Sequence, residues 1–169
     1  MRLAEDTGLA PLMSLLSHPH PKIKGLARTV IDSLIKKKDG EGEEEATLNE
    51  KSGWPAVSEL LSYEDNDARR AALMTLATLA NSAPNAQYID RFIGTATLYQ
   101  SLSSSHAPTA AGTATLLGSL SQHQSLHEAL MKYAELLVSS LSFQKDEARA
   151  SLCTTLGNLL LERTQIRYL

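Results

Sequence analysis

The fold is decided by residues 53–81, whose sequence is GWPAVSELLSYEDNDARRAALMTLATLAN. A ten-residue segment ends at Ser62 after two leucines. After a short polar stretch, a second run places Ala72, Leu76 and Leu79 three and four positions apart. Residues with this spacing lie on one face of an α-helix, and leucine and alanine are strong helix formers. The stretch therefore predicts a helix, a turn and a longer helix with one apolar face.

The same pattern occurs four times along the chain. Four ten-residue segments align, and each ends in leucine and serine: GLAPLMSLLS (8–17), GWPAVSELLS (53–62), GTATLYQSLS (94–103) and YAELLVSSLS (133–142). After each closing serine, at positions +10, +14 and +17, the chain has the sets Ala27, Ala72, Thr113, Leu152; Ile31, Leu76, Leu117, Leu156; and Leu34, Leu79, Leu120, Leu159. A period of about forty positions predicts stacked helical units that bury their apolar faces on one another.

The joints between units are marked by proline, glycine and acidic residues. Pro11 and Pro55 fall in the first turn of a segment, where proline is tolerated. A third, short helix is predicted over 85–93, and a weaker turn of helix around Leu48 follows the glutamates of an acidic loop at 39–52. We therefore expect an all-α chain forming one domain over 1–169, with repeats at about 8–38, 53–93, 94–132 and 133–169.

Composition and charge exclude several classes of protein. The chain is 43% hydrophobic and 21% charged, which is typical of a folded protein, and its aromatic content of 5% disfavours an all-β fold. A net charge of −3 argues against a nucleic-acid partner, which needs a basic face. One cysteine and no long apolar run predict a cytoplasmic protein, with the nucleus as an alternative, and no membrane insertion.

The residue order of the second unit resembles the armadillo repeat, with the HEAT repeat as a looser relative. The resemblance is carried by Ala68-Arg69-Arg70-Ala71-Ala72-Leu73 and Leu79-Ala80-Asn81, and in the fourth unit by Glu147-Ala148-Arg149 and Leu156-Gly157-Asn158-Leu159. It implies a right-handed α-solenoid, an armadillo-type superhelix of about four repeats, with a concave groove for a partner.

The resemblance also places the groove residues. Where import receptors of this family carry tryptophans, this chain has Thr29, Met74, Thr115 and Thr154, and where they carry asparagines it has Ser33, Thr78, Ser119 and Asn158. Without indole rings there is no cation–π slot for lysine, which argues against an import-receptor function. We expect the groove contacts to come from Arg69, Arg70, Met74, Thr78, Thr115, Ser119, Arg149, Thr154 and Asn158.

Two alternatives apply to these residues. The three arginines either face an acidic segment of a partner or pair with nearby Glu64, Asp65, Asp67 and Glu147. Trp54, the single tryptophan, is either a binding hot spot or a packing residue against the neighbouring unit.

Motifs for catalysis or metal binding are weak. His123 and His127 lie four positions apart, but no third ligand has a defined spacing, so we expect neither a metal nor a cofactor. Cys153 is expected to be a half-buried structural thiol, because its equivalents in the other repeats include Leu73 and Ala114.

The sequence therefore predicts a non-catalytic scaffold or adaptor, not an enzyme, that binds a protein or extended peptide, with acidic segments favoured. An alternative is a nucleotide-exchange factor for a heat-shock chaperone or a small GTPase, and the third class is a hydrolase. A stub of helix before Gly8 and the leucines at 159–161 predict either a piece of a longer repeat array, which we favour, or a short protein that covers its ends by self-association.

Overall fold

The computed structural model describes residues 9–36, 48–142 and 146–166, and within these ranges the chain is all-helical, without strands. The first residues of the chain and positions 39–47 of the expected acidic loop lie outside the described part. In the described ranges, no helix combines the length and apolarity needed to cross a bilayer.

The helices follow the predicted order of segment, longer helix and short connecting helix. They are α1 Leu9–Leu15, α2 Pro21–Lys36, α3 Gly53–Ser62, α4 Asn66–Leu79, α5 Ala83–Phe92, α6 Thr95–Leu102, α7 Ala107–Leu120, a 3₁₀ turn Gln124–Leu126, α8 His127–Met131, α9 Ala134–Ser140 and α10 Asp146–Ile166. The predicted short helix over 85–93 is confirmed as α5. Leu48 is buried, but it lies outside the helices, just before a turn, so the predicted turn of helix around it is not formed.

The repeated apolar positions form the core. Among the three sets at +10, +14 and +17 after the closing serines, every member except Leu156 is buried, and Leu156 is partly buried and packs against the same core. The apolar face predicted from the spacing is therefore the face that the helices bury.

The three long helices α4, α7 and α10 pack side by side in chain order. They run in the same direction. Gly118 of α7 lies against Ser151 early in α10, and further along both helices Asn158 of α10 donates a hydrogen bond to Ser121 Oγ at 2.9 Å. The shorter α3, α6 and α9 each pair with the long helix that follows them.

The first unit departs from this arrangement. Sequence alignment equates α2 with α4, yet α1, not α2, packs beside α4, and α2 packs against α1 and α3. The His18 ring after α1 lies 3.2 Å from the Asp65 carboxylate before α4, so α1 runs antiparallel to α4.

Charge explains this departure. On α4, the face that packs against α7 contains Leu73 and Ala77, which are at positions +11 and +15 after the closing serine. The same positions in α2 are Arg28 and Asp32, an exposed ion pair. Burying that pair against α4 would desolvate both charges, so α2 lies elsewhere and α1 fills the place.

Aromatic residues pack inside the second unit and join the third unit to the fourth. The ring of Trp54 at the start of α3 is buried and stacks on Tyr88 and Phe92 of α5, with ring centroids 5.6 and 5.9 Å apart. The hydroxyl of Tyr99 in α6 donates to the carbonyl of Leu130, and its ring stacks on Tyr133 at 4.3 Å. Burial raises the pKa of Tyr99, in keeping with a phenol that stays neutral.

Gly53 tests the fit between α2 and α3. A Cβ at Gly53 would lie 2.5 Å from Ser33 Oγ, and that hydroxyl already accepts a hydrogen bond from the Asn49 amide at 2.6 Å. We expect Gly53→Ala to lower the free energy of unfolding by about 1–3 kcal/mol, through overpacking. A Cβ at Gly25 in α2 would meet no described atom within 4 Å. Gly25→Ala should therefore stabilise the fold by about 0.5–1 kcal/mol. Urea denaturation of both variants measures the contrast, and equal effects would contradict the assigned contact.

Candidate functional site

The exposed edge of α4 forms a ridge between two grooves. Arg70, Met74 and Thr78 lie four positions apart, hence on one side of the helix, and they line both grooves. The α4–α7 groove, between these helices, has a volume of about 770 Å³, and the α1–α4 groove one of about 480 Å³. Of the predicted contact residues, five line the larger groove: Arg70, Met74, Thr78, Thr115 and Ser119.

The α4–α7 groove exists because its floor is made of small side chains. Ala77 contributes from α4, Ala111 and Gly112 from α7, and Ala148 from the start of α10. A Cβ at Gly112 would lie 3.4 Å from Leu73, so the two helices approach closely there. Close helices with small residues between them leave a shallow, elongated depression above the contact.

Hydroxyl groups in the groove are arranged to accept hydrogen bonds. Thr78 donates its proton to the carbonyl of Met74, and Thr115 to that of Ala111, at 3.1 and 3.0 Å. Each oxygen keeps lone pairs toward the groove, since a hydroxyl accepts as well as donates. These threonines can therefore accept from the backbone amides of an extended ligand.

The two ends of the groove differ electrostatically. Arg70 lies at the end where the parallel helices α7 and α10 begin, and helix N-termini carry partial positive charge. Among the described residues, no carboxylate lies within ion-pair distance of Arg70. Asn81 and Ser119 line the other end, where α4 and α7 finish. The guanidinium at one end favours a carboxylate there.

The remaining predicted contact residues lie outside this groove. Arg69 is half-buried, and Arg149 lies 3.7 Å from Asp146, so for Arg149 the structure shows an ion pair of the kind given as the alternative. Thr154 is exposed on α10, and Asn158 bonds to Ser121. The side chain of Glu147, another expected partner, lies outside the described part.

Trp54 belongs to the core. Its side chain has no exposed surface, which matches a packing role and leaves nothing for a partner to touch, but the rings it stacks on, Tyr88 and Phe92, belong to its own unit. Gly53 is buried as well.

Sequence reasoning missed the α1–α4 groove. Ala10, Pro11 and Ser14 line it, and its end is closed by His18 and Asp67. The repeat alignment places α2 beside α4 and leaves no room there for α1. The signal that could have found the groove is the charged pair Arg28 and Asp32, which prevents α2 from packing at that place.

The histidines have structural partners. His123 Nε2 lies 2.5 Å from the carbonyl of Ala80, and His127 Nε2 lies 2.7 Å from that of Ser121. No group of three or more His, Cys, Asp or Glu in the described part of the chain could hold a metal ion.

Cys153 is exposed, contrary to the half-buried position expected. In α4 and α7 the next long helix covers the equivalent residue, and no described helix covers it in α10.

The chain matches no protein-family model and no curated protein. The geometry of the grooves is therefore the basis for assigning a function.

Asp65 links the end of α1 to the start of α4, at one end of the α1–α4 groove. Its Oδ1 accepts from the Ala68 amide at 2.8 Å, which caps α4, and its Oδ2 lies 3.2 Å from His18. The Ala68 hydrogen bond, aided by His18, lowers the pKa of Asp65. A lowered pKa in the folded state means that the ionised carboxylate stabilises the fold above its ordinary titration range, and that this contribution is lost as the pH falls below about 4.

We expect Asp65→Ala to lower the free energy of unfolding by about 1 kcal/mol at neutral pH, because the helix cap is lost. The difference from the native chain should shrink as the pH falls through the titration of Asp65. Glu64→Ala is the matched control, because Glu64 makes no hydrogen bond with a described residue. That change should cost less than about 0.5 kcal/mol. Thermal melts from neutral pH into acid measure both, and a difference that grows in acid would contradict the capping role.

Proposed function

We propose that this protein is a non-catalytic interaction scaffold that binds an extended segment of a partner protein along the α4–α7 groove. The observation that carries the proposal is Arg70, which has no carboxylate partner among the described residues and lies at one end of a groove floored by small side chains. We propose in addition that the helices form an armadillo-type superhelix, in which this groove is part of the concave surface. The parallel packing of α4, α7 and α10 supports that architecture.

The groove suits an extended chain better than a compact small molecule. It is open along its length and lined by single hydroxyls rather than by a convergent set of polar groups. Thr78 and Thr115, on opposite walls, can accept from backbone amides. The exposed methyl end of Met74 offers an adaptable apolar contact, as methionine does at many peptide-binding surfaces.

The ligand should carry an acidic residue near one end. Arg70 can form a bidentate bond with a carboxylate, and the N-terminus of α7, whose first turn contains no acidic residue, adds to the positive potential there. At the other end Asn81 and Ser119 offer only neutral polar groups. Because the two ends differ, the groove should bind a peptide in one direction.

Peptide selection tests the ligand class. A display library of random peptides, selected on the immobilised chain, should be enriched in peptides with an acidic residue next to small or apolar ones. Arg70→Glu should weaken binding of the selected peptides about tenfold or more, because a charge-assisted hydrogen bond becomes a repulsion. Arg28→Glu reverses an exposed arginine on α2, outside the groove, and should leave binding unchanged. Peptides without acidic residues, or an equal effect of the two reversals, would contradict the proposal.

A second pair of variants tests the position of the ligand. Thr115→Trp places a bulky ring in the α4–α7 groove and should reduce affinity about tenfold or more by excluding the peptide. Thr154→Trp makes the same change at the equivalent exposed position of α10, outside the groove, and should have little effect. Calorimetric titration of both variants measures the contrast, and loss of binding only in Thr154→Trp would move the site to α10.

A further inference from the structure

The outer face of α10 has the residues of a helix–helix contact but no described helix against it. On α4 and α7, positions +11, +15 and +18 after the closing serine face the next long helix and are buried: Leu73, Ala77, Ala80 and Ala114, Gly118, Ser121. On α10 the same positions are Cys153, Gly157 and Leu160. Cys153 is exposed, Gly157 is partly exposed, and Leu160 is 56% exposed.

Gly118 and Gly157 make the comparison directly. A Cβ at Gly118 would lie 3.7 Å from the carbonyl oxygen of Ser151, because α10 packs closely there. A Cβ at Gly157 would meet no described atom within 4 Å. The glycine that permits close approach is thus present on α10, with open space beside it in the described structure.

The residues of this face resemble those on the covered faces of α4 and α7 and differ from those on the exposed face of α2. On α2, the positions equivalent to Cys153 and Gly157 are Arg28 and Asp32, which are exposed and form an ion pair. The stretch 150–161 of α10 contains no charged residue. The outward face of α2 thus carries charge, and the α10 face does not.

The shorter helices α6 and α9 show the same difference between a covered and an exposed residue. Tyr99 in α6 is 1% exposed, because Leu130 of α8 and Tyr133, at the start of the following unit, cover it. Val138 occupies the same register in α9 and is 57% exposed. Val138 therefore extends the α10 face, which we define as Val138, Cys153, Gly157, Leu160 and Leu161.

We propose that the α10 face is the interface at which two copies of this chain pair about a two-fold axis, with their α10 helices antiparallel and crossing at Gly157. The shape of this face indicates that its binding partner is a second copy of the chain. Under a two-fold axis at Gly157, the small side chain of Cys153 in each copy meets the large side chain of Leu161 in the other. An isologous interface requires such self-complementarity.

A head-to-tail arrangement fits less well. The side of α10 that packs on a preceding helix, including Ala148 and Thr155, is already buried against α7. The outward side of α2 is charged at Arg28 and Asp32 and would meet the apolar α10 face without partners. The α10 face of a second copy is uncharged and apolar, and it carries no such cost.

Sedimentation equilibrium of the full chain across a wide concentration range tests the proposal. We expect a monomer–dimer equilibrium without larger species. Leu160→Glu should raise the dimer dissociation constant about tenfold or more, because a carboxylate would be buried without a partner. Met13→Glu is the matched control: Met13 is 51% exposed on α1, at the other end of the fold, and its change should leave the dimer intact. A native chain that stays monomeric, a series of growing oligomers, or dissociation by Met13→Glu would each overturn the proposal.

Cys153 supplies a second readout, because it is the only cysteine of the chain. Its reaction with a maleimide should slow as the protein concentration rises, since the dimer covers the thiol, and Leu160→Glu should remove that dependence. Leu160 is exposed in the single chain, so unchanged circular dichroism and melting temperature will show that the variant is folded. A labelling rate independent of concentration in a dimeric native chain would place the interface elsewhere and overturn the proposal.

Discussion

The structure depends on the close, parallel packing of α4, α7 and α10. At each contact a glycine lies where the helices approach: Gly112 against Leu73, and Gly118 against Ser151. Small residues at a contact let two helix axes approach, and the gain is the dispersion energy of many short contacts between dense surfaces. The same small residues leave the shallow α4–α7 groove above the contact. Packing and groove thus have one cause, and larger residues on the groove floor would remove the space for a ligand.

Much of this fold could be predicted from the sequence, because it depends on local spacing. The helices, their order and the buried positions after each closing serine follow from a period that needs no knowledge of distant contacts. The placement of α2 did not follow, because α2 shares with α4 the apolar positions that define the repeat and differs from it on another face. Arg28 and Asp32 are visible in the sequence, but their meaning depends on which face receives a neighbour.

The candidate site was predictable in part for a related reason. Arg70, Met74, Thr78, Thr115 and Ser119 lie beside one groove because their register repeats from α4 to α7. The sequence could not show that Trp54 is wholly buried, since a tryptophan beside glycine and proline suits both a surface and a core. Nor could the sequence show that Thr78 and Thr115 donate their hydroxyl protons to carbonyls of their own helices. Because of these bonds, the two hydroxyls can only accept hydrogen bonds from a ligand.

The first unit differs from the others in a way that gives the array two unlike ends. On α7 and α10, positions +6 and +9 after the closing serine hold small residues on the side toward the preceding long helix: Thr109, Gly112, Ala148 and Ser151. On α4 the same positions are Ala68 and Ala71, and the antiparallel α1 packs there instead. On α2 they are Ile23, which is buried, and Leu26, which is partly buried, and α2 packs against α1 and α3. Small residues at these two positions allow α7 and α10 to approach the preceding long helix, whereas the charged Arg28 and Asp32 on the other side of α2 keep α2 out of the row.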